Sequence, residues 1–387
     1  MKNLFLLLSF YFLTSAVQAQ APWATAALDK SAEKYKKLLT LSEEKGRLPR
    51  SAEADNSIRW TRENHIDWTE GFFPGTLWLL YEMTGDETFK TGAENMQALY
   101  KSHKDNTTTH DVGFIFDSSY GRGFEITENP EYQKVVMDAS KALASRFDPK
   151  VGAIRSWSWG GWKFPVIIDN MLNLELLMRA TQISGDSSYW NMAITHANTT
   201  MKNHFRKDFS CYHVVDYFPE DGSIRIKKTH QGYANESAWS RGQSWALYGY
   251  TMMYRYTKDK RYLDFAENLA KYNFKKWPKD LVPVWDYDSP KSLVHIKDAS
   301  AAAVFCSGLF DLYQQTGKSK YLKKAVAQLK SLSSEEYFVE EGTYGNFLIH
   351  QCAGNIPKED EVEVGLNYGD YYYAEALKRY LTINQNP

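Results

Sequence analysis

Cysteine is nearly missing from this 387-residue chain: only Cys211, Cys306 and Cys352 occur. An odd number without metal-ligand spacing argues against a disulfide framework and against a thiolate metal site. An excess of one charge is missing too. The formal net charge is -1 at pH 7, which leaves no electrostatic footprint for nucleic acid or an anionic membrane. No glycine spacing fits a phosphate or dinucleotide loop, and no Gly-x-Ser-x-Gly elbow is present. Long apolar runs are absent except for Leu4 to Leu13, which follows Lys2 and precedes the small-residue site Val17-Gln18-Ala19. That pattern is a secretory signal over residues 1–19. It is too short for a comfortable membrane span and lacks a stop-transfer flank. No cysteine stands at the cleavage point, so a lipid anchor is not expected. The predicted mature protein is exported to the periplasm, has no membrane or nucleic-acid partner, and is a monomer or weak homo-oligomer.

Aromatic residues, in contrast, are plentiful: 15% of the chain, with 12 Trp and 26 Tyr. They serve either a well-filled core or a cleft that stacks sugar rings, whose C–H faces are apolar while their hydroxyls are not. A short signature also repeats. Thr84-Gly85-Asp86 leads to Phe89 and Ala93, Ser184-Gly185-Asp186 to Tyr189 and Ala193, Thr257-Lys258-Asp259 to Tyr262 and Ala266, and Thr316-Gly317-Lys318 to Tyr321 and Ala325. Thr127-Glu128-Asn129 with Tyr132 is a weaker copy. Each copy reads as a helical hairpin. The glycine or polar residue stops one helix in a left-handed conformation, and the Asp caps the next. The aromatic and the alanine four residues on share one face.

Five such turns, closed by pairing a first helix near Ala24–Glu43 with a last near Asp370–Leu381, give six hairpins. The predicted fold is therefore all-α, one (α/α)6 barrel over residues 20–387. Strand alternation is confined to loops such as Tyr212-His213-Val214-Val215-Asp216-Tyr217. An open α-solenoid is the alternative, and it normally shows shorter, more regular units.

Two aspartates stand in unusual surroundings. Asp169 follows the apolar run Val166-Ile167-Ile168 and opens a helical pattern, while Asp111 lies in Thr109-His110-Asp111-Val112-Gly113-Phe114. Burial favours the neutral acid and nearby cations favour the carboxylate. Two carboxyls in different surroundings are suited to acid/base chemistry on sugars. Each also reads as a helix N-cap, the commonest work for such an Asp. A metal pair from His65, Asp67 and His110 lacks support from ligand spacing, and no metal or organic cofactor is expected. Arg241 and Trp245 are four apart in a polar, Trp-rich segment. On one helical face they would grip a carboxylated sugar, the guanidinium through two parallel bonds and the indole by stacking. The plainer reading is surface packing of Arg on Trp.

These motifs in this order resemble the unsaturated glucuronyl hydrolases, glycoside hydrolase family 88. The likeness runs through Trp68-Thr69-Glu70-Gly71-Phe72-Phe73-Pro74-Gly75, the His110-Asp111 segment, Ile168-Asp169-Asn170-Met171, the His230–Trp245 block and Asn367-Tyr368-Gly369-Asp370. The resemblance implies an (α/α)6 barrel without cofactor. It also implies an oligosaccharide substrate, made by polysaccharide lyases, with a 4,5-unsaturated uronic acid at its non-reducing end. Such enzymes hydrate the C4=C5 vinyl ether, and the hemiketal that forms then opens. The resemblance gives Asp169 as general acid/base and Asp111 as second carboxylate. It places Trp68, His110, His213, Gln231, Arg241 and Trp245 around the unsaturated ring. The aromatic under the next sugar is one of Trp157, Trp159 and Trp162, with Trp159 favoured. The unsaturated rhamnogalacturonyl hydrolases are the near alternative, but their acid motif usually reads Asp-Asp-Met where this chain has Asp169-Asn170-Met171. A non-catalytic oligosaccharide binder and a barrel epimerase working through paired histidines are readings from other classes.

Overall fold

The computed structural model describes residues 21–385, so the secretory signal expected over residues 1–19 lies outside the described residues. The chain runs α1 (Pro22–Lys45), α2 (Phe72–Thr84), α3 (Glu87–Ala98), α4 (Val112–Phe116), α5 (Arg122–Thr127), α6 (Pro130–Ala144), α7 (Asn170–Ser184), α8 (Ser187–Asn203), α9 (Ser240–Thr257), α10 (Lys260–Lys276), α11 (Ala299–Thr316), α12 (Ser319–Leu332) and α13 (Asn367–Gln385). A π turn over Asp117–Gly121 joins α4 and α5 into one bent wall. α2, α4–α5, α7, α9, α11 and α13 touch in cyclic order and close an inner ring, with α1, α3, α6, α8, α10 and α12 packed outside it. This is the (α/α)6 barrel.

The repeated signature forms the hairpin turns. Gly85, Gly185, Lys258 and Gly317 all have left-handed φ, from 55° to 72°. Asp86, Asp186 and Asp259 accept from the backbone N–H two residues on and so cap α3, α8 and α10. The weaker copy behaves alike: Glu128 is left-handed and Asn129 caps α6. Phe89, Ala93, Tyr189, Ala193, Tyr262, Ala266, Tyr321 and Ala325 are all buried between the two rings. The outer helices keep a polar face. α9 and α11 are buried all round in their first fourteen residues, as expected of helices enclosed on every side.

Strand structure exceeds the sequence expectation. β1 (Pro49–Ala52), β2 (Ile58–Trp60), β8 (Cys352–Asn355) and β9 (Asp360–Leu366) form one sheet in the order β2-β1-β9-β8. β3 (Phe147–Asp148) pairs with β4 (Ala153–Ile154), and β5 (Phe164–Ile167) with β6 (Val214–Tyr217) and β7 (Ile224–Lys228). The run before Asp169 is thus a strand, β5, buried on both faces. Full burial removes the alternation by which a strand is read from sequence. These strands lie in loops leading into the N-termini of inner helices, and they aim the residues described below.

Asp370 at the start of α13 ties the ends of the chain together. It accepts from the backbone N–H groups of Leu348 and Ile349 and from the Tyr35 hydroxyl on α1. Burial, only partly offset by these donors, pushes its carboxyl up to about 7. The folded protein therefore holds this proton across a pH range in which the unfolded chain has lost it, and stability falls as pH rises from about 4 towards 7. Asp370→Asn keeps an acceptor for the amides and has no charge to bury. Its melting temperature is expected to fall less than that of the unaltered protein between pH 5 and pH 7.5, which thermal melts at the two pH values measure.

Candidate active site

Asp111 and Asp169 occupy the N-cap positions of α4 and α7, yet neither side chain makes a capping hydrogen bond. Both carboxyls lie at the same end of the barrel, spared from capping their helices. The two helices meet through Gly113, where a Cβ would come within 2.5 Å of the Asn173 Cα. Asn173 also accepts from the Phe114 N–H at 2.7 Å. Only glycine at position 113 lets α4 approach α7 this closely.

The two carboxyls shift in opposite directions. Burial raises Asp169 to about 6; His110 and Arg241 oppose the rise and Asp111 adds to it. At Asp111 burial works the same way but is outweighed. His110, 3.2 Å away through its Nε2, and the Thr109 hydroxyl, donating at 2.6 Å, hold its carboxyl below the ordinary aspartate value. His110 is buried, with Nδ1 3.5 Å from the Asn173 amide. One group is thus a protonated acid in weakly acidic solution and the other a carboxylate, the division of labour that acid/base chemistry needs.

Around this pair runs a belt of rings. Phe114 meets Trp68, and Trp68 meets Tyr368 with centroids 4.8 Å apart. The Arg241 guanidinium lies between Tyr368 and Trp239. Trp239 packs on His213 at 4.5 Å, and His213 leads to His230. His230 meets Trp157 and Trp159, which stack at 4.9 Å and 14°. Trp159 is 54% exposed, with one face covered by Trp157. Trp162 stands edge-on to Trp157. Gln231 is half-buried and donates to the Gly354 carbonyl.

Arg241 and Trp245 depart from the arrangement expected from the sequence. Arg241 does not present a free fork. Its Nη1 binds Asp298 at 2.7 Å and the Ala353 carbonyl, and its Nη2 binds the Gly354 carbonyl at 2.7 Å. It stacks on Trp239, not Trp245. Trp245 is fully buried, against Phe114 and Tyr372, and forms part of the barrel core beneath Phe114. The i, i+4 spacing holds, but that face turns inward. Asp67 is engaged by Arg50 at 2.6 Å. Among the described residues no three His, Cys, Asp or Glu side chains converge as a metal site. All three cysteines are free and buried.

A second opening at the far end of the barrel, about 540 Å³, is lined by Arg122, Arg179, Arg255, Glu175 and Glu375. Its cations are matched: Arg179 binds Asp117 at 2.7 Å, Arg122 binds Glu375 at 3.0 Å and Arg255 binds Asp311 at 3.0 Å. That network ties the C-terminal halves of the inner helices together.

The sequence model of Glycosyl Hydrolase Family 88 matches residues 41–382. The chain belongs to glycosyl hydrolase family 88. It is 46% identical over 318 residues to the unsaturated glucuronyl hydrolase of Formosa agariphila, covering 81% of this chain and 80% of that one. It is 31% identical over 369 residues to the unsaturated chondroitin disaccharide hydrolase of Streptococcus pyogenes serotype M1, 92% of this chain and 90% of that one. A crystal structure of an unsaturated glucuronyl hydrolase specific for heparin superposes with a TM-score of 0.88 at 43% identity, over 92% of this chain and 98% of that chain. This family 88 chain is accordingly a glycoside hydrolase, and its barrel is the fold of its relatives. Trp239 and Tyr368 stand within the motifs quoted from the sequence without being among its site candidates, and Asp298 lies outside them. Asp298 carried a signal in Asp298-Ala299-Ser300-Ala301, an N-cap pattern ahead of an alanine-rich helix.

Proposed function

We propose that this enzyme releases the 4,5-unsaturated uronic acid from the non-reducing end of glycosaminoglycan-derived disaccharides by hydrating the C4=C5 bond. The observation that carries the reading is the pair Asp169 and Asp111, uncapped at adjacent helix starts and shifted in opposite directions. Asp169 gives its proton to C4, and positive charge develops at C5 and the ring oxygen. Asp111, as carboxylate, stabilises that charge electrostatically. Asp169, now a carboxylate, takes a proton from the water that adds to C5. The resulting hemiketal opens and the glycosidic bond breaks. Trp159 supports the second sugar on its exposed face. Residues 1–19 carry the export signal, and the enzyme works in the periplasm on fragments that lyases supply.

The test is loss of ultraviolet absorbance, where the conjugated double bond absorbs, on mixing with unsaturated disaccharides. The panel holds heparin-derived and chondroitin-derived disaccharides differing in sulfate position, with unsaturated rhamnogalacturonan disaccharide as the competing substrate. Turnover of the last alone overturns the proposal. A bell-shaped kcat/KM profile is expected. Its alkaline limb lies near pH 6, where Asp169 loses its proton, and its acid limb lies below the ordinary aspartate value, where Asp111 gains one. Full activity is expected after exhaustive chelation. Activity that vanishes with chelator and returns with a divalent cation contradicts the mechanism.

A further inference from the structure

β5 and β6 pair so that Ile167 lies opposite Val214, and the Ile168 N–H donates to the His213 carbonyl at 3.0 Å. Asp169 and His213 therefore leave the ends of neighbouring strands side by side. The Asp169 Oδ2 and the His213 Nε2 are 3.6 Å apart. Both atoms are buried, and neither has another hydrogen-bond partner.

The other nitrogen of His213 decides what Nε2 carries. Backbone N–H groups of His230 and Gln231 both point at Nδ1, each at 3.1 Å. An amide N–H only donates, so Nδ1 is an acceptor and bears no proton. A proton on Nδ1 would face two N–H donors, so the imidazolium is excluded along with the other tautomer. Burial, reinforced by His230 and Arg241, likewise holds His213 neutral, well below the usual histidine value. Nε2 is then an N–H donor, and Asp169 is the acceptor it faces.

The loop that supplies the two amides is itself fixed. The Gly232 N–H donates to the Thr229 hydroxyl oxygen at 2.7 Å, and the Tyr233 N–H and Ser237 hydroxyl donate to buried Asp286 at 2.9 and 2.7 Å.

We propose that His213 is a positioning residue for Asp169: its tautomer is imposed by the amides of His230 and Gln231, and its Nε2–H engages Oδ2, so that the acid proton is held on Oδ1. Oδ1 is then the oxygen that faces C4. The contact shortens when substrate closes the site, as hydrogen bonds at catalytic groups commonly do. After the proton leaves Oδ1, the same N–H stabilises the carboxylate until water returns a proton. This role goes beyond a ligand contact and rests on Asp169 being the acid. The charged or titratable groups facing the pair are Asp111, His110, Arg241 and Cys211 around Asp169, and His230, His204, His110 and Arg241 around His213.

Two variants separate the nitrogens. His213→Asn keeps an acceptor where Nδ1 was and has nothing where Nε2 was. His213→Gln places an amide N–H near the Nε2 position and loses the acceptor at δ. In kcat/KM profiles on an unsaturated disaccharide, His213→Asn is expected to lose about tenfold to a hundredfold in kcat with little change in KM. Its alkaline limb moves up by about half a pH unit or more, because the Asp169 carboxylate has lost its donor. His213→Gln brings the limb back towards that of the unaltered enzyme. An alkaline limb that does not move in His213→Asn, or a rise in KM at unchanged kcat, overturns the proposal.

A measurement without substitution stands beside these. ¹⁵N spectra of His213 in the unaltered protein are expected to show Nε2 protonated and Nδ1 bare from pH 5 to 8. A protonated Nδ1 overturns the proposal whether or not the variants fold. If the unaltered enzyme fails to consume the disaccharide, the proposed substrate has failed, and the ¹⁵N result still decides the tautomer.

Discussion

Asp169→Asn is expected to give a folded protein whose turnover of an unsaturated disaccharide is lower by about 10²–10⁴-fold or more, the loss that follows removal of a positioned acid/base. Asparagine has nearly the same shape but no proton to deliver. The fold loses little, because the Asp169 side chain makes no capping bond to α7. The stability effect has a definite sign. A carboxyl raised to about 6 by burial is harder to ionise in the folded protein than in the unfolded chain. It therefore weakens the fold progressively as pH rises from about 4 to 6 and by a constant amount above. Asn removes that penalty, so the variant is expected to melt at or above the temperature of the unaltered protein at pH 8. Steady-state kinetics and a thermal melt on the same preparation check both. Near-normal turnover by a folded variant removes Asp169 from the acid's role. A large drop in melting temperature would mean that the carboxyl holds the fold together, which its surroundings do not support.

The helical frame was legible because its signals are local. A left-handed residue, a capping Asp and an aromatic four residues before an alanine all sit within ten positions, and the turns at Gly85, Gly185, Lys258 and Gly317 appear where that pattern stands. The weak copy at Glu128-Asn129 was legible for the same reason. The strands were not. β5 is buried on both faces, and β9, which carries β8 beside it, pairs with β1 some three hundred residues away in sequence, so no local period announces them. Asp169 stood out because a carboxyl after an apolar run is locally anomalous, whereas Asp111, after Thr109-His110, stood out through the segment that carries the family resemblance. What surrounds them was less legible. In an inner helix such as α9 every face is buried, so the spacing of Arg241 and Trp245 tells that they share a side and not which side meets the site. Trp239, two residues before Arg241, is the ring that the guanidinium covers.

Arg241 is the second residue whose replacement should have a large effect, and the cause differs from a free carboxylate clamp. Its guanidinium joins four segments: Asp298 at the start of α11, the carbonyls of Ala353 and Gly354 in β8, the ring of Trp239 just ahead of α9, and the ring of Tyr368 in α13. Asp298 in turn caps α11 through the Ala301 N–H and the Ser300 hydroxyl. Gln231 meets the same Gly354 carbonyl. One planar fork thus fixes β8, α11 and two rings beside Asp169, whose carboxyl feels its charge. Arg241→Lys keeps the charge, but a single ammonium does not span Asp298 and both carbonyls or stack flat between two rings. With β8 and Gln231 displaced by even about an ångström, turnover is expected to fall by roughly 10²-fold. The alkaline limb should stay in place, because the positive charge that lowers Asp169 is retained. Arg241→Met removes the charge and leaves Asp298 buried without its partner. That is expected to cost about 3–5 kcal/mol of stability and to move the alkaline limb up, since Asp169 then keeps its proton to higher pH. Denaturant melts and pH profiles of the two variants together separate geometry from charge. If Arg241→Lys raises KM alone and melts like the unaltered protein, the guanidinium binds the substrate directly and these segments do not depend on it.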